Sequence, residues 1–299
     1  MSWLELSLTI HAAQQAAVEA ALEDLGALSI TLRDANADTP DERAIFEPGV
    51  GELPLWNEIV LLALFAGETD RSGLLHALAD AVPDTSPERI AFREVEDQDW
   101  TRAWMDQFRP MRFGSRLWIY PSTTAPADDA DAVVVHLDPG LAFGTGTHPT
   151  TALCLEWLDA AELSGKTLID FGCGSGVLAI AALKLGAARA IGIDNDPQAI
   201  EASRINAERN GVGDQLDLYL PADFTPAPQE ILVANILAGP LADLAPQFAA
   251  CTRAGGAIAL SGILAGQEEE LLARYAEWFD DLVVVNREDW LRISGKRKS

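Results

Sequence analysis

A glycine-rich turn between two acidic residues is the part of this sequence with the clearest chemical meaning. A short apolar segment, Thr167 to Ile169, leads into the run Asp170-Phe-Gly-Cys-Gly-Ser-Gly176, and a second apolar run begins at Val177. Another acid, Asp194, lies 24 positions after the first. A strand, a glycine turn, a helix and a second strand that ends in an acid form the layout of a nucleotide-type cofactor site.

The spacing of the glycines differs from that of a dinucleotide site. Such a site needs Gly-x-Gly-x-x-Gly, whereas here Gly172, Gly174 and Gly176 follow at intervals of two and position 177 is Val. An anion at Asp170 would repel a pyrophosphate but would suit a positively charged ligand, such as the amino or sulfonium group of a methionine derivative. Because glycine lacks Cβ, the backbone can approach a ligand closely. The pattern favours S-adenosylmethionine over NAD, and a tight turn without a ligand is the alternative.

Two acids close the second strand, and we assign them different roles. A carboxylate at Asp194 can accept hydrogen bonds from both hydroxyls of a ribose, so it is predicted to bind the cofactor. Pro197 suits the first position of a helix, which makes Asp196 a candidate N-cap. Asp223 follows the third strand and could contact an adenine amino group, but a plain loop acid explains it equally well.

Asn235 ends the fourth predicted strand, in the run Val233-Ala-Asn-Ile-Leu-Ala-Gly-Pro240. Ligands of open parallel sheets bind beyond the carboxyl ends of the strands, so this side chain is predicted to face the reacting methyl group. Its carbonyl oxygen could accept a hydrogen bond from an attacking amine and align the lone pair. A turn residue without a ligand is the alternative.

The segment from Leu137 to Thr151 has the composition of a mobile lid or ligand loop, with three glycines and four threonines. His148 lies among these hydroxyl groups, and a catalytic and a structural role both fit it. Methyl transfer to an amine needs little acid–base help once the amine is neutral, because positioning and desolvation supply most of the rate.

The elements that must hold these residues alternate between strand and helix. The predicted strands lie near 167–172, 189–194, 215–220, 231–236 and 256–262, and the predicted helices span 149–162, 176–185, 197–210, 240–252 and 266–279. Regular alternation predicts a doubly wound parallel sheet with helices on both faces. Only residues 286–289 separate the last two apolar segments, which is too short for a crossover helix, so the last strand should pair antiparallel.

The first part of the chain predicts a second, smaller domain. Its apolar patterns follow the order βαββαβ, which is that of a ferredoxin-like α+β unit. A helix at 99–108 would place three aromatic residues on one face, namely Trp100, Trp104 and Phe108. The predicted boundaries are 1–96 for the small domain, 97–131 for a linker that contains this helix, and 132–299 for the cofactor-binding domain.

Composition and charge restrict the class of partner. Of the 299 residues, 48% are hydrophobic and 22% charged, which is typical of a globular protein. The net charge of −25 argues against nucleic-acid phosphate as the main ligand and would attract basic partners. Solubility alone is the other explanation of this charge.

The cysteines and the apolar runs indicate the compartment. Cys154, Cys173 and Cys251 are too few and too scattered for a disulfide framework, and no C-x-x-C pair suggests a metal site. The apolar run 59–66 is too short to span a bilayer, and residues 1–8 alternate as a strand does rather than as a signal peptide. We therefore expect a cytoplasmic protein without a metal or a membrane partner.

Together these motifs resemble the bacterial ribosomal protein L-eleven methyltransferases, the PrmA family. The glycine loop alone indicates only a class I methyltransferase, whereas Phe143-Gly-Thr-Gly-Thr-His-Pro-Thr-Thr151 and Asn235-Ile-Leu-Ala are much more specific. The similarity extends over nearly the whole chain and includes the segment from Trp100 to Arg112.

The resemblance implies an S-adenosylmethionine-dependent enzyme that trimethylates lysine ε-amines and the N-terminal α-amine of one large-subunit ribosomal protein, with S-adenosylhomocysteine as product. It implies a Rossmann-like domain with a seven-stranded sheet, an N-terminal domain that recognises the substrate, and a linker that lets the catalytic domain swing between target amines. It places cofactor contacts on Thr151, Gly172, Asp194 and Asn235. We expect a monomer that binds no nucleic acid directly and associates with its basic substrate less rapidly as salt increases.

Three other functions fit the sequence less well than this one. A class I methyltransferase could act on another protein or on a small-molecule amine, although small substrates rarely need a separate recognition domain. Asp170 and Val177 argue against an NAD-dependent oxidoreductase. The intact Asn235 motif and the lid argue against a binding protein without catalysis. Many amine methyltransferases have an aromatic residue in the motif that here reads Asn235-Ile-Leu-Ala, and we expect the extra room to permit three methylations of one nitrogen.

Overall fold

The chain folds into two compact units, residues 1–99 and 100–299. The structure, a computed structural model, describes residues 2–37, 39, 56–81, 89–96, 109–124, 131–138 and 148–299. The predicted aromatic helix at 99–108 and most of the predicted lid, residues 139–147, lie outside the described residues.

The first unit is a four-stranded antiparallel sheet with two helices. Its strands are β1 (Ser2–His11), β2 (Ser29–Asp34), β3 (Glu58–Ala66) and β4 (Ile90–Glu96), and its helices are α1 (Gln15–Asp24) and α2 (Arg71–Ala81). The spatial order β2-β3-β1-β4 is ferredoxin-like, as predicted. Alternate residues of β1 are buried because a strand presents every second side chain to the helix-covered face. The core residues of β1 are Leu4, Leu6, Leu8 and Ile10.

The second unit begins with a small sheet that contains part of the predicted linker. Its strands are β5 (Met111–Phe113), β6 (Leu117–Tyr120) and β7 (Val133–His136). Phe113, Leu117 and Ile119 join the main hydrophobic core. The carboxylate of Asp159 accepts hydrogen bonds from the backbone N–H of Ser115 and, at 3.1 Å, of Leu117. These strands have only three or four residues, and a side chain distant in the sequence holds them. They therefore leave no clear period of hydrophobic residues in the sequence.

The main sheet has seven strands: β8 (Thr167–Phe171), β9 (Arg189–Ile193), β10 (Leu216–Tyr219), β11 (Gln229–Asn235), β12 (Thr252–Leu264), β13 (Phe279–Arg287) and β14 (Trp290–Arg297). Their spatial order is β10-β9-β8-β11-β12-β14-β13. The first five pair in parallel, and β14 is antiparallel to both of its neighbours. The predicted antiparallel last strand is therefore confirmed.

Helices cover both faces of this sheet. They are α3 (Pro149–Ala160), α4 (Val177–Lys184), α5 (Pro197–Arg209), α6 (Ala238–Cys251) and α7 (Glu268–Tyr275). Leu168 packs in one core with α3 and α4, and its neighbour Ile169 packs in the other with α6 and α7. This alternation within one strand confirms the doubly wound, Rossmann-like fold. None of the helices in the described parts of the chain is long and apolar enough to cross a membrane.

Candidate active site

The predicted site residues meet at the carboxyl edge of the main sheet. β8, β11 and β12 are parallel neighbours, so their carboxyl ends lie at the same edge. Asp170 is paired in register with Val233, and Asn235 is paired with Ser261. The glycine loop after β8 and the Asn235 motif after β11 are therefore adjacent.

The glycine loop has a backbone conformation that residues with a side chain rarely adopt. Gly172, Gly174 and Gly176 have φ angles of +76°, +53° and +78°. The carbonyl oxygen of Ile193 accepts hydrogen bonds from the N–H of Gly172 at 2.7 Å and of Cys173 at 3.0 Å, which fastens the loop to the end of β9. The glycines are thus required by the conformation of the loop backbone.

Gly172→Ala is expected to lower both stability and cofactor affinity. A Cβ at this position would lie 2.2 Å from Cγ2 of Ile236, and the left-handed backbone itself costs about 1–2 kcal/mol for a residue with Cβ. Thermal unfolding and calorimetry with S-adenosylhomocysteine measure the two effects. Gly165→Ala is the matched control, because φ there is +71° but nothing lies within 4 Å of the added Cβ. Equal destabilisation by the two variants would contradict the clash with Ile236.

Asp194 orders the backbone of the loop. Its Oδ2 accepts a hydrogen bond from the N–H of Gly174 at 2.8 Å, and its Oδ1 accepts one from the N–H of Asp196 at 3.0 Å. Each oxygen keeps a further lone pair for a ligand hydroxyl. Asp196 accepts from the N–H of Gln198 at 2.8 Å and precedes Pro197, so its interpretation as the N-cap of α5 is confirmed.

Asp170 lies beneath the loop at the start of α4. It is 1% exposed, and its Oδ2 accepts a hydrogen bond from the N–H of Ala179 at 3.0 Å. Gly176, the N-cap of α4, has no side chain, so this carboxyl group caps the helix from the preceding strand. Burial raises the pKa of Asp170 to about 7; the Ala179 N–H opposes the shift, and the Asp194 carboxylate adds to it.

Two residues that the sequence did not single out support the loop from below. Ser203 donates a hydrogen bond from Oγ to the carbonyl of Gly174 at 2.9 Å, and Asn206 donates from Nδ2 to the carbonyl of Ser175 at 2.9 Å. Both are buried on the inner face of α5. The sequence does contain one indication of this role. The two polar residues are three positions apart, on the helix face that also carries Ala199 and Ala207.

The amide of Asn235 is held from α3. Its Nδ2 donates to Oγ1 of Thr151 at 3.2 Å, and Thr151 is 2% exposed in the first turn of that helix. This contact occupies Nδ2, and none of the hydrogen bonds among the described residues reaches Oδ1. Leu237, two residues further on, is 51% exposed. A hydrogen-bond acceptor of fixed orientation therefore lies next to open space at the carboxyl edge.

His148 is the N-cap of α3. Its Nδ1 accepts a hydrogen bond from the Thr150 N–H and lies 2.7 Å from the Thr150 Oγ1, and its ring packs edge-on against Trp290 with centroids 4.7 Å apart. Burial lowers the pKa of His148, against the raising effect of Glu288, so the ring is neutral at neutral pH. With Nδ1 engaged in the cap, only Nε2 could act on a substrate.

These residues fit a cationic nucleoside cofactor such as S-adenosylmethionine. Asp170 Oδ1 is a buried oxygen with no hydrogen-bond partner among the described residues. Asp194 lies at the end of β9, where a ribose would be held, and the loop between these acids has no side chains on its glycines. The residues predicted to contact the cofactor all lie at this edge of the sheet: Thr151, Asp170, Gly172, Gly174, Gly176, Asp194 and Asn235.

Comparison with known proteins gives the same assignment. The sequence model of the family described as ribosomal protein L11 methyltransferase (PrmA) matches residues 2–298. Proteins named ribosomal protein L11 methyltransferase from Stenotrophomonas maltophilia (strain K279a) and Pseudomonas aeruginosa (strain LESB58) are 58% and 55% identical, over the full length of each pair. The crystal structure of ribosomal protein L11 methylase from Lactobacillus delbrueckii subsp. bulgaricus superposes with a TM-score of 0.58 at 31% identity, covering 64% of this chain and 99% of that one. The chain belongs to the ribosomal protein L11 methyltransferase family.

Proposed function

We propose that this protein transfers methyl groups from S-adenosylmethionine to lysine ε-amines and the N-terminal α-amine of ribosomal protein L11, up to trimethylation. The main support for the proposal is the position of the Asn235 amide. Thr151 holds this amide beside the glycine loop, at the carboxyl edge of the sheet. Since the substrate is a ribosomal protein, the reaction belongs in the cytoplasm.

The cofactor would be held by groups already in place. S-adenosylmethionine supplies an activated methyl group when it is bound. Asp194 would accept hydrogen bonds from the ribose hydroxyls with the lone pairs left by Gly174 and Asp196. Asp170 supplies the negative charge that a cationic ligand needs, and the bare glycine backbone permits close approach.

Asn235 would position the amine that is methylated. Because its Nδ2 is engaged by Thr151, its Oδ1 is the atom that can accept a hydrogen bond from a neutral amine, which would orient the nitrogen lone pair. His148 contributes by capping α3 and so fixing Thr151. A direct catalytic role for His148 would use Nε2 to accept the proton that the amine loses.

The N-terminal unit has the charge expected of a surface that receives a basic protein. Residues 1–99 contain 20 of the 46 acidic residues, five arginines and no lysine. Such a unit attracts basic partners and speeds their association. This supports the assignment of residues 1–96 to substrate recognition.

Mass spectrometry of ribosomal protein L11 after incubation with the protein and S-adenosylmethionine tests the function. We expect additions of one, two and three methyl groups on lysine side chains and on the N-terminal amine. If the cofactor binds but L11 stays unmodified, another substrate of a class I methyltransferase is indicated. Binding of NAD in place of S-adenosylmethionine, measured by calorimetry, would indicate an oxidoreductase.

Leu237→Phe is expected to reduce trimethylation in favour of mono- and dimethylated products. Leu237 follows the Asn235 motif and is exposed, so an aromatic ring there would occupy the room into which a methylated nitrogen turns. Mass spectrometry of the distribution of methylated products, after the reaction has run to completion, measures the effect. Val283→Phe, at an exposed position on β13, is the matched control. Full trimethylation by Leu237→Phe would contradict this role of the open space.

A further inference from the structure

Asp170 is a buried carboxyl group with only one oxygen engaged. Oδ2 accepts a hydrogen bond from Ala179, whereas Oδ1 has no hydrogen-bond partner among the residues that the structure describes. A buried polar atom without a partner is costly, and native structures nearly always satisfy it. With no donor to it among the residues described, Oδ1 can be satisfied in two ways: it can carry a proton, or it can face a bound positive charge.

Within the described parts of the chain, the groups that act on Asp170 provide no direct counter-charge. They are Cys154 on α3, Cys173 in the glycine loop, the Ala179 N–H on α4 and Asp194 after β9, and the paired strand residues Gly192 and Val233 carry no titratable group. Burial raises the pKa of Cys154 to about 12 and also raises the pKa of Cys173, so both thiols stay neutral. Arg292 acts on Cys154 and donates a hydrogen bond to the Leu153 carbonyl at 3.0 Å, and it is not among the groups that shift the pKa of Asp170.

Two charge states of Asp170 are therefore close in free energy near neutral pH. Burial raises its pKa to about 7, which places the titration of this carboxyl group near neutral pH. A positive charge placed near the carboxyl group favours the ionised form. Cofactor binding should then change the protonation of this residue.

We propose that Asp170 carries a proton on Oδ1 in the cofactor-free protein and releases it to solvent when S-adenosylmethionine binds, so that the ionised carboxylate selects the cofactor over its product. The inference rests on the proposed function. The O–H bond of the carboxyl group breaks, and buffer takes the proton. S-adenosylmethionine carries a sulfonium charge that S-adenosylhomocysteine has lost, so the carboxylate attracts the product less and the product leaves more readily.

Isothermal titration calorimetry in buffers of different ionisation enthalpy measures the released proton. At about pH 7 we expect about half a proton released from Asp170 per cofactor bound, rising towards one at about pH 6 and falling towards zero at about pH 8.5. Cofactor affinity should fall by up to about tenfold per pH unit below pH 7 and level off above it. The affinity for S-adenosylhomocysteine should depend less on pH.

Two variants assign the proton to its residue. Asp170→Asn keeps an acceptor for the Ala179 N–H and cannot titrate, so it should lose this proton release and the discrimination between cofactor and product. Asp194→Asn should weaken binding but still release the proton, at a somewhat lower pH because the Asp194 charge helps to raise the pKa of Asp170. Equal proton release by wild type and Asp170→Asn, or a wild-type affinity independent of pH, would overturn the inference. If wild type binds no S-adenosylmethionine at any pH, the proposed function fails as well.

Stability of the cofactor-free protein gives a second readout that needs no variant. A carboxyl group whose pKa is raised on folding stabilises the protein below its unfolded pKa of about 4, and this contribution is lost as pH rises through about 7. Cofactor affinity is expected to increase over the same range. Opposite pH trends of the cofactor-free melting temperature and of the affinity therefore support the proposal, and parallel trends contradict it.

Discussion

Asn235→Ala is expected to lower the rate of methyl transfer by about 10²-fold at saturating cofactor, because the amine then loses the acceptor that aligns it. The Asn235 side chain contacts Thr151 through Nδ2, so the substitution deprives the amine of Oδ1 as its hydrogen-bond acceptor. Single-turnover kinetics with preformed enzyme–cofactor complex and ribosomal protein L11 measure this rate. Cofactor affinity should change by less than about tenfold, since the glycine loop and Asp194 are untouched.

Two further variants separate orientation from packing. Thr151→Val removes the hydrogen-bond acceptor of the Asn235 amide and is expected to lower the rate by about tenfold, the equivalent of one ordinary hydrogen bond. Asn286→Ala, at an exposed position on β13, should leave the rate unchanged. A wild-type rate for Asn235→Ala would contradict the positioning role.

Asp194→Ala is expected to weaken cofactor binding by about 10²-fold. A charge-assisted hydrogen bond contributes about 1.5–3 kcal/mol, and this carboxylate is predicted to make such bonds to the ribose while it also holds the Gly174 N–H. Calorimetry with S-adenosylhomocysteine measures the affinity without turnover.

Asp196→Ala is the control for the neighbouring acid. Loss of an N-cap costs about 1 kcal/mol of stability, so this variant should lower the melting temperature and leave cofactor affinity close to that of wild type. If Asp196→Ala weakens binding as much as Asp194→Ala does, the ribose role belongs to both acids or to neither.

Much of the fold was predictable because local patterns of hydrophobic and polar residues specify it. Leu4, Leu6, Leu8 and Ile10 alternate with polar residues, and this period specifies a strand with one buried face. The hairpin β5–β6 was missed for the opposite reason: it is short, and the carboxylate of Asp159 on α3 holds it from more than 40 residues away. The support of the glycine loop by Ser203 and Asn206 is equally non-local.

The sequence by itself determined the type of site. The glycine spacing from Asp170 to Gly176, and the positions of Asp194 and Asn235 at strand ends, follow from turn stereochemistry and from the topology of parallel sheets. Only the tertiary structure decided what these side chains contact. Thr151 orients the Asn235 amide across 84 positions of sequence, and Asp170 is buried with one oxygen unpaired. Contacts and burial arise from packing between distant elements, which no local period encodes.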